Sequence, residues 1–141
     1  MQITTEKFGE IEFEESAVIS FTEGILGFPS SKRYILLNAD KDSPFKWLQS
    51  VDDGSLAFLL IDPTVFKSDY KVKLDANTKD ELSIGSREDY VIFVIVVVNA
   101  DPTESTANLI GPIVLNIKNQ RASQIVINNP GYSTRHRLIG E

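Results

Sequence analysis

The run Tyr90-Val91-Ile92-Phe93-Val94-Ile95-Val96-Val97-Val98 is almost wholly β-branched or aromatic and carries no charge. Such side chains are stiff at χ1 and fit a pleated surface better than a helical one. The run falls far short of the roughly 20 residues that a membrane-spanning helix needs. Its continuous apolar character predicts a central strand, Tyr90–Val98, buried on both faces, closed by Asp101-Pro102.

Elsewhere the period is two. Glu10-Ile11-Glu12-Phe13-Glu14 places Ile11 and Phe13 on one face and three glutamates on the other. Val18–Phe21, Arg33–Leu37, Phe45–Gln49 and Leu56–Ile61 read as further strands, with Asp52-Asp53-Gly54 as the hairpin turn between the last two. Gly24-Ile25-Leu26-Gly27-Phe28-Pro29 is a glycine-bearing turn, with Phe28 expected to pack beneath it. Tyr70–Leu74 reads as a short strand. Thr78-Lys79-Asp80-Glu81 has the form of a capping box, predicting one short helix through Leu82 that stops near Gly85. Thr106–Ile110, Ile113–Ile117 and Gln124–Ile127 complete the strands, the last two joined by a turn around Asn119–Ala122, and the tail from Asn129 reads as a loop. About ten short strands with at most one helix predict an all-β, compact, barrel-like single domain over residues 1–141.

Charge is distributed unevenly. Residues 1–104 hold 19 acids and 10 bases, whereas residues 105–141 hold one acid and four bases; the net charge is −6. A nucleic-acid binder normally shows a basic stripe, so direct nucleic-acid contact is not expected and a basic protein partner is. The opening Met1-Gln2-Ile3-Thr4-Thr5 has no basic, apolar leader pattern, and a cytoplasmic location is expected with no membrane association.

The chain has no cysteine and a single histidine, His136, between Arg135 and Arg137. No nucleophile–base pair can be built on it from the sequence, nor does any spacing suggest a metal or cofactor site. The chain is therefore expected not to be an enzyme. Two features suggest recognition. Glu10, Glu12 and Glu14 form a stripe with carboxylates about 7 Å apart along one strand face, suited to lysines and arginines of a partner. Phe66, Tyr70 and Val72, after Pro63, are either core residues or an exposed hydrophobic anchor.

Four segments resemble a known family. Phe21-Thr22-Glu23-Gly24-Ile25-Leu26-Gly27-Phe28 resembles a glycine-aromatic turn that usually reads Gly-Leu-Pro-Gly-Phe. Ser43-Pro44-Phe45 through Leu48-Gln49-Ser50 resembles a second motif. The stretch from Thr106 to Asn116, with Asn108, Pro112 and Asn116, resembles the third and most specific. Tyr132-Ser133-Thr134-Arg135-His136-Arg137-Leu138 resembles the fourth, where proline is commoner than Arg137. In order and spacing these are similar to the FliW family of bacterial flagellar assembly factors.

The resemblance implies a barrel-like β fold and a function without catalysis. It implies that the chain binds flagellin and the RNA-binding translational regulator CsrA. Held by this factor, the regulator cannot repress flagellin translation, and partner exchange couples translation to filament assembly. The strand after Asp69-Tyr70 is usually acid-rich in the family, whereas Lys71 and Lys73 stand here; Asp69, Asp75 and the glutamate stripe are the expected substitutes. The free protein is expected to be a monomer. The alternative is a barrel whose interior holds a small apolar ligand.

Overall fold

The structure, a computed structural model, describes residues 1–39 and 42–138. The chain opens with a hairpin of β1 (Gln2–Thr5) and β2 (Gly9–Glu12), which among the described residues pair only with each other. Then follow β3 (Ile19–Phe21), β4 (Arg33–Asn38), β5 (Phe45–Ser50), β6 (Ala57–Ile61), α1 (Ala76–Leu82), β7 (Tyr90–Val97), β8 (Thr106–Ala107), β9 (Ile113–Asn116), β10 (Arg121–Gln124) and β11 (His136–Arg137). Strands β7-β6-β5-β4-β3-β10-β9 close into a seven-stranded barrel through the β7–β9 pairing. All contacts are antiparallel except the two parallel rungs between β10 and β3. β8 and β11 extend the sheet from the far end of β7. The all-β barrel predicted from the alternation is what forms.

Side chains alternate between two cores, as the pleat requires. Inside the barrel, Phe21, Tyr34, Leu48, Leu60, Phe93 and Ile113 pack together. On the outer face Val94 and Val96 meet Ile61, Tyr70 and Leu109, while Val114 meets Leu74, Leu82 and Ile84. The connection from Pro63 to Ile84 is thus a second layer laid over the barrel wall.

That layer corrects several expectations. Tyr70–Leu74 is not a strand: it crosses the outer face of the sheet, sending Tyr70 and Leu74 into the core, and no ladder forms along it. Its alternation is real, but burial of every second side chain does not require an edge to pair with. The helix starts at Ala76, not Thr78. Asp75 is its N-cap, its carboxylate accepting from the Thr78 N–H at 2.8 Å, which satisfies one of the first-turn donors. The helix ends at Ser83, in the left-handed region at φ 57°, two residues before Gly85.

β10 begins at Arg121 rather than Gln124. Asn116 and Asn119 accept from the N–H groups of Lys118 (2.8 Å) and Arg121 (3.0 Å), drawing the turn forward. β8 stops at Ala107 because the Asn108 carboxamide accepts from both Ile110 and Gly111 N–H at 3.0 Å. Residues 136–137 pair with β8 instead of forming part of a loop. The β7 run is also less enclosed than expected, since Val97 and Val98 are each 58% exposed.

Candidate partner-binding surfaces

The acidic stripe is assembled by the hairpin. Glu10 and Glu12 lie on β2 opposite Thr4 and Gln2, and Glu14 follows the strand in extended backbone. All three are exposed, and Gln2 Nε2 donates to Glu10 at 2.7 Å. Among the described residues none of them joins an ion pair. The hairpin is pinned to the barrel at its tip, where the Glu6 N–H donates to Gly54 O at 3.0 Å. Phe8 meets Trp47 edge-on at 5.8 Å, and the Lys7 ammonium sits 4.6 Å from that ring.

The second group separates into different roles. Tyr70 belongs to the core: it is 6% exposed and its hydroxyl donates to Leu109 O at 2.7 Å. Burial pushes its phenol above the ordinary range. It is therefore no exposed anchor. Val72 and Phe66 are half-buried, and the Phe66 ring lies against His136 at 5.6 Å. Asp69 pairs with Lys67 at 3.2 Å, which holds its carboxyl below the usual range. Asp75 is lowered likewise by the Thr78 bonds that cap α1. Both acids already have partners within the chain, whereas Lys71 and Lys73 are exposed beside a shallow cavity of about 350 Å³.

Phe66 also lines a groove of about 590 Å³ on the outer wall, together with Phe45, Leu59, Val65, Val98 and Leu138. The register explains part of its apolar lining, since Phe45 stands opposite Ile61 and Leu59 opposite Val96, and the last pair ends a longer outward row. Leu37 stands opposite Trp47, Trp47 opposite Leu59, and Leu59 opposite Val96, so one row of large side chains crosses four strands on the outward face. As a candidate contact the sequence points only to Phe66 of this groove, while Pro44, Phe45 and Leu138 enter as motif residues. The alternation within each strand was visible, but which strands align was not.

The motif residues are architectural. Gly24 and Gly27 occupy φ +74° and +89°, and a Cβ on Gly24 would lie 2.8 Å from Phe28 O. Phe28 packs edge-on to Phe58 at 5.3 Å yet stays 42% exposed, so it covers the turn rather than sitting beneath it. Gln124 joins this turn to the Asn108 turn, accepting from Leu26 N–H and donating to Gly111 O, both at 2.9 Å. Pro112, also buried, accepts from Ile125 N–H at 3.0 Å. Asn116 ties α1 to β9, donating to Leu82 O at 2.7 Å. Arg135 is exposed, its N–H bonded to Ser133 Oγ. Among the described residues no group of three or more His, Asp or Glu side chains is placed to hold a metal ion.

One acid has a thermodynamic consequence. Asp89 accepts from Lys118 Nζ at 2.7 Å and from Gly85 and Ser86 N–H at 2.8 and 2.9 Å. The lysine first, then the two amides, lower its carboxyl to about 2. A depressed folded value stabilises the fold above the unfolded carboxyl's range, and that contribution disappears as pH falls through the folded value. Asp89→Asn is therefore expected to lower the urea midpoint at neutral pH. The gap to wild type should narrow as pH drops from about 4 towards 2; a gap independent of pH would refute this role.

The family model described as "FliW protein" matches residues 2–138. The chain is 43% identical over 141 residues to the flagellar assembly factor FliW of Geobacter sulfurreducens, covering 100% of this chain and 88% of that protein. It is 41% identical over 142 residues to the same factor from Caldanaerobacter subterraneus, covering 100% and 95%. A crystal structure of the flagellar assembly factor FliW superposes with a TM-score of 0.93 at 37% identity, covering 100% of this chain and 99% of that one.

Proposed function

The chain belongs to the FliW family of flagellar assembly factors, and we propose that it acts as a protein antagonist that exchanges between a CsrA-type translational regulator and flagellin. The observation that carries the proposal is the exposed row Glu10, Glu12 and Glu14, whose carboxylates have no cationic partner among the described residues. A basic RNA-binding protein supplies the opposite charge, and complementary fields raise the association rate. Binding of the regulator and of flagellin is linked, so each partner weakens the hold on the other. No chemical step is required, and the exchange takes place in the cytoplasm.

The apolar groove beside Phe66 is the second surface of the proposal, suited to the buried face of a flagellin subunit before assembly. The ligand-holding barrel finds less support. Its interior would have to be open, and this one is occupied by Phe21, Tyr34, Leu48, Leu60 and Phe93.

The test is a binding titration with purified regulator at low and high salt. Wild type should bind more weakly as salt rises. Glu10→Lys/Glu12→Lys should weaken binding by about tenfold and flatten the salt dependence, with the thermal midpoint nearly unchanged because both side chains are exposed. Added flagellin should release bound regulator. Unchanged affinity in the double variant removes the stripe from the interface, and failure to bind either protein ends the proposal.

A further inference from the structure

β3 accompanies β4 for only two rungs, Ile19 opposite Tyr34 and Ser20 opposite Arg33. Before Ile19 the chain curls through the 3₁₀ turn Glu15–Ala17. Residues 35–38 of β4 consequently have β5 on one side and, among the described residues, no strand on the other. Facing this open edge is the end of β2, which among the described residues pairs with β1 alone. Between them lies a groove of about 540 Å³, lined by Ile11, Phe13, Ala17 and residues 35–37 of β4, by Glu12 and Glu14, and by Met1, whose ammonium donates to Phe13 O at 3.0 Å.

Three properties define what fits. An open strand edge offers unpaired backbone donors and acceptors, which an extended chain satisfies by adding a strand. An added strand presents alternate side chains to opposite faces, so every second residue can reach the apolar floor. The surroundings stay net anionic although the Met1 ammonium also lines the groove: Glu10, Glu12, Glu14 and Glu15 are all exposed, none joins an ion pair among the described residues, and the Glu14 side chain caps no turn. A second copy of the chain would bring the same glutamates to the same edge, and like charges oppose that pairing.

We infer that this groove receives an extended, basic segment of a partner protein, docked as an extra strand on β4. Its apolar side chains rest on Ile11, Phe13 and Leu37, and its cationic ones face Glu12 and Glu14. The inference rests on the reading of the acidic hairpin as a docking surface, but not on which protein docks.

The experiment titrates isotope-labelled full-length protein with a synthetic peptide alternating leucine and arginine, and with its glutamate-for-arginine counterpart. The basic peptide should bind saturably, shift the amides of residues 11–14 and 35–38, and slow hydrogen exchange at the open edge of β4. The acidic counterpart should not bind. Glu12→Lys/Glu14→Lys should weaken the basic peptide by about tenfold. Shifts scattered over the surface, edge amides that gain no protection, or equal affinity in the variant would overturn the assignment. The peptide docking here while the protein captures neither regulator nor flagellin would end the partner-exchange reading and leave this one standing. Capture of either protein with the β4 edge silent to the peptide would do the reverse.

Discussion

Asn116→Ala is expected to destabilise the protein by about 1–3 kcal/mol, the cost of leaving the Lys118 N–H without its acceptor and Leu82 O with Asn119 Nδ2 as its remaining side-chain donor. Asn116 is 2% exposed. Its amide donates to Leu82 O at 2.7 Å and to Ser83 O at 3.3 Å, while its carbonyl accepts from Lys118 N–H at 2.8 Å. Asn116 thus joins the end of α1, where Asn119 Nδ2 also donates to Leu82 O at 3.0 Å, to the start of the turn into β10. Asn116→Asp separates the two roles. It keeps the acceptor for the turn but replaces the donor to Leu82 by a carboxylate facing a carbonyl, and should be at least as damaging as alanine near neutral pH. Urea unfolding measures both. An aspartate variant as stable as wild type would show that the bond to α1 contributes nothing.

Gly54→Ala should dislodge the acidic hairpin. A Cβ on Gly54 would lie 2.2 Å from Thr4 O, a contact with backbone that no rotamer change relieves. Overpacking of this kind typically costs about 1–3 kcal/mol. Here the hairpin can also yield by lifting, breaking the bond from Glu6 N–H to Gly54 O and withdrawing Phe8 and Lys7 from Trp47. Trp47 is the sole tryptophan, so its emission reports the event directly: a red shift is expected, with a lowered thermal midpoint. The same variant should lose affinity for the basic peptide, because the groove beside β4 exists only while the hairpin is seated. Unchanged emission and midpoint would mean that the hairpin does not depend on this close approach.

These two positions show the limits of reading the chain alone. Gly54 was visible as a turn residue after Asp52-Asp53, and its turn does join β5 to β6. Its larger role is to admit the backbone of residue 4, a neighbour fifty positions away in the chain, which no local pattern encodes. Asn116 stood in a motif, yet its partner Leu82 is on the far side of β7 in sequence. The capping pattern at Thr78 and Glu81 misplaces the helix start for a related reason: Asp75 takes the first-turn donor at Thr78 and is already extended, with φ −81° and ψ 170°.

The sequence by itself determined the class of fold, because side-chain alternation and β-branching are local properties that a pleated strand must satisfy. It also determined the acidic character of the hairpin, since Glu10 and Glu12 share a face in any strand that carries them. Only the tertiary structure decided which alternating segments pair. Tyr70–Leu74 alternates like a strand but lies over the sheet, and residues 136–137 punctuate like a loop but join it. It alone aligned Leu37, Trp47, Leu59 and Val96 in one row and left the edge of β4 open. Register and closure arise from long-range hydrogen bonds and shared burial, and their energies depend on residues distant in the chain rather than on neighbours within it.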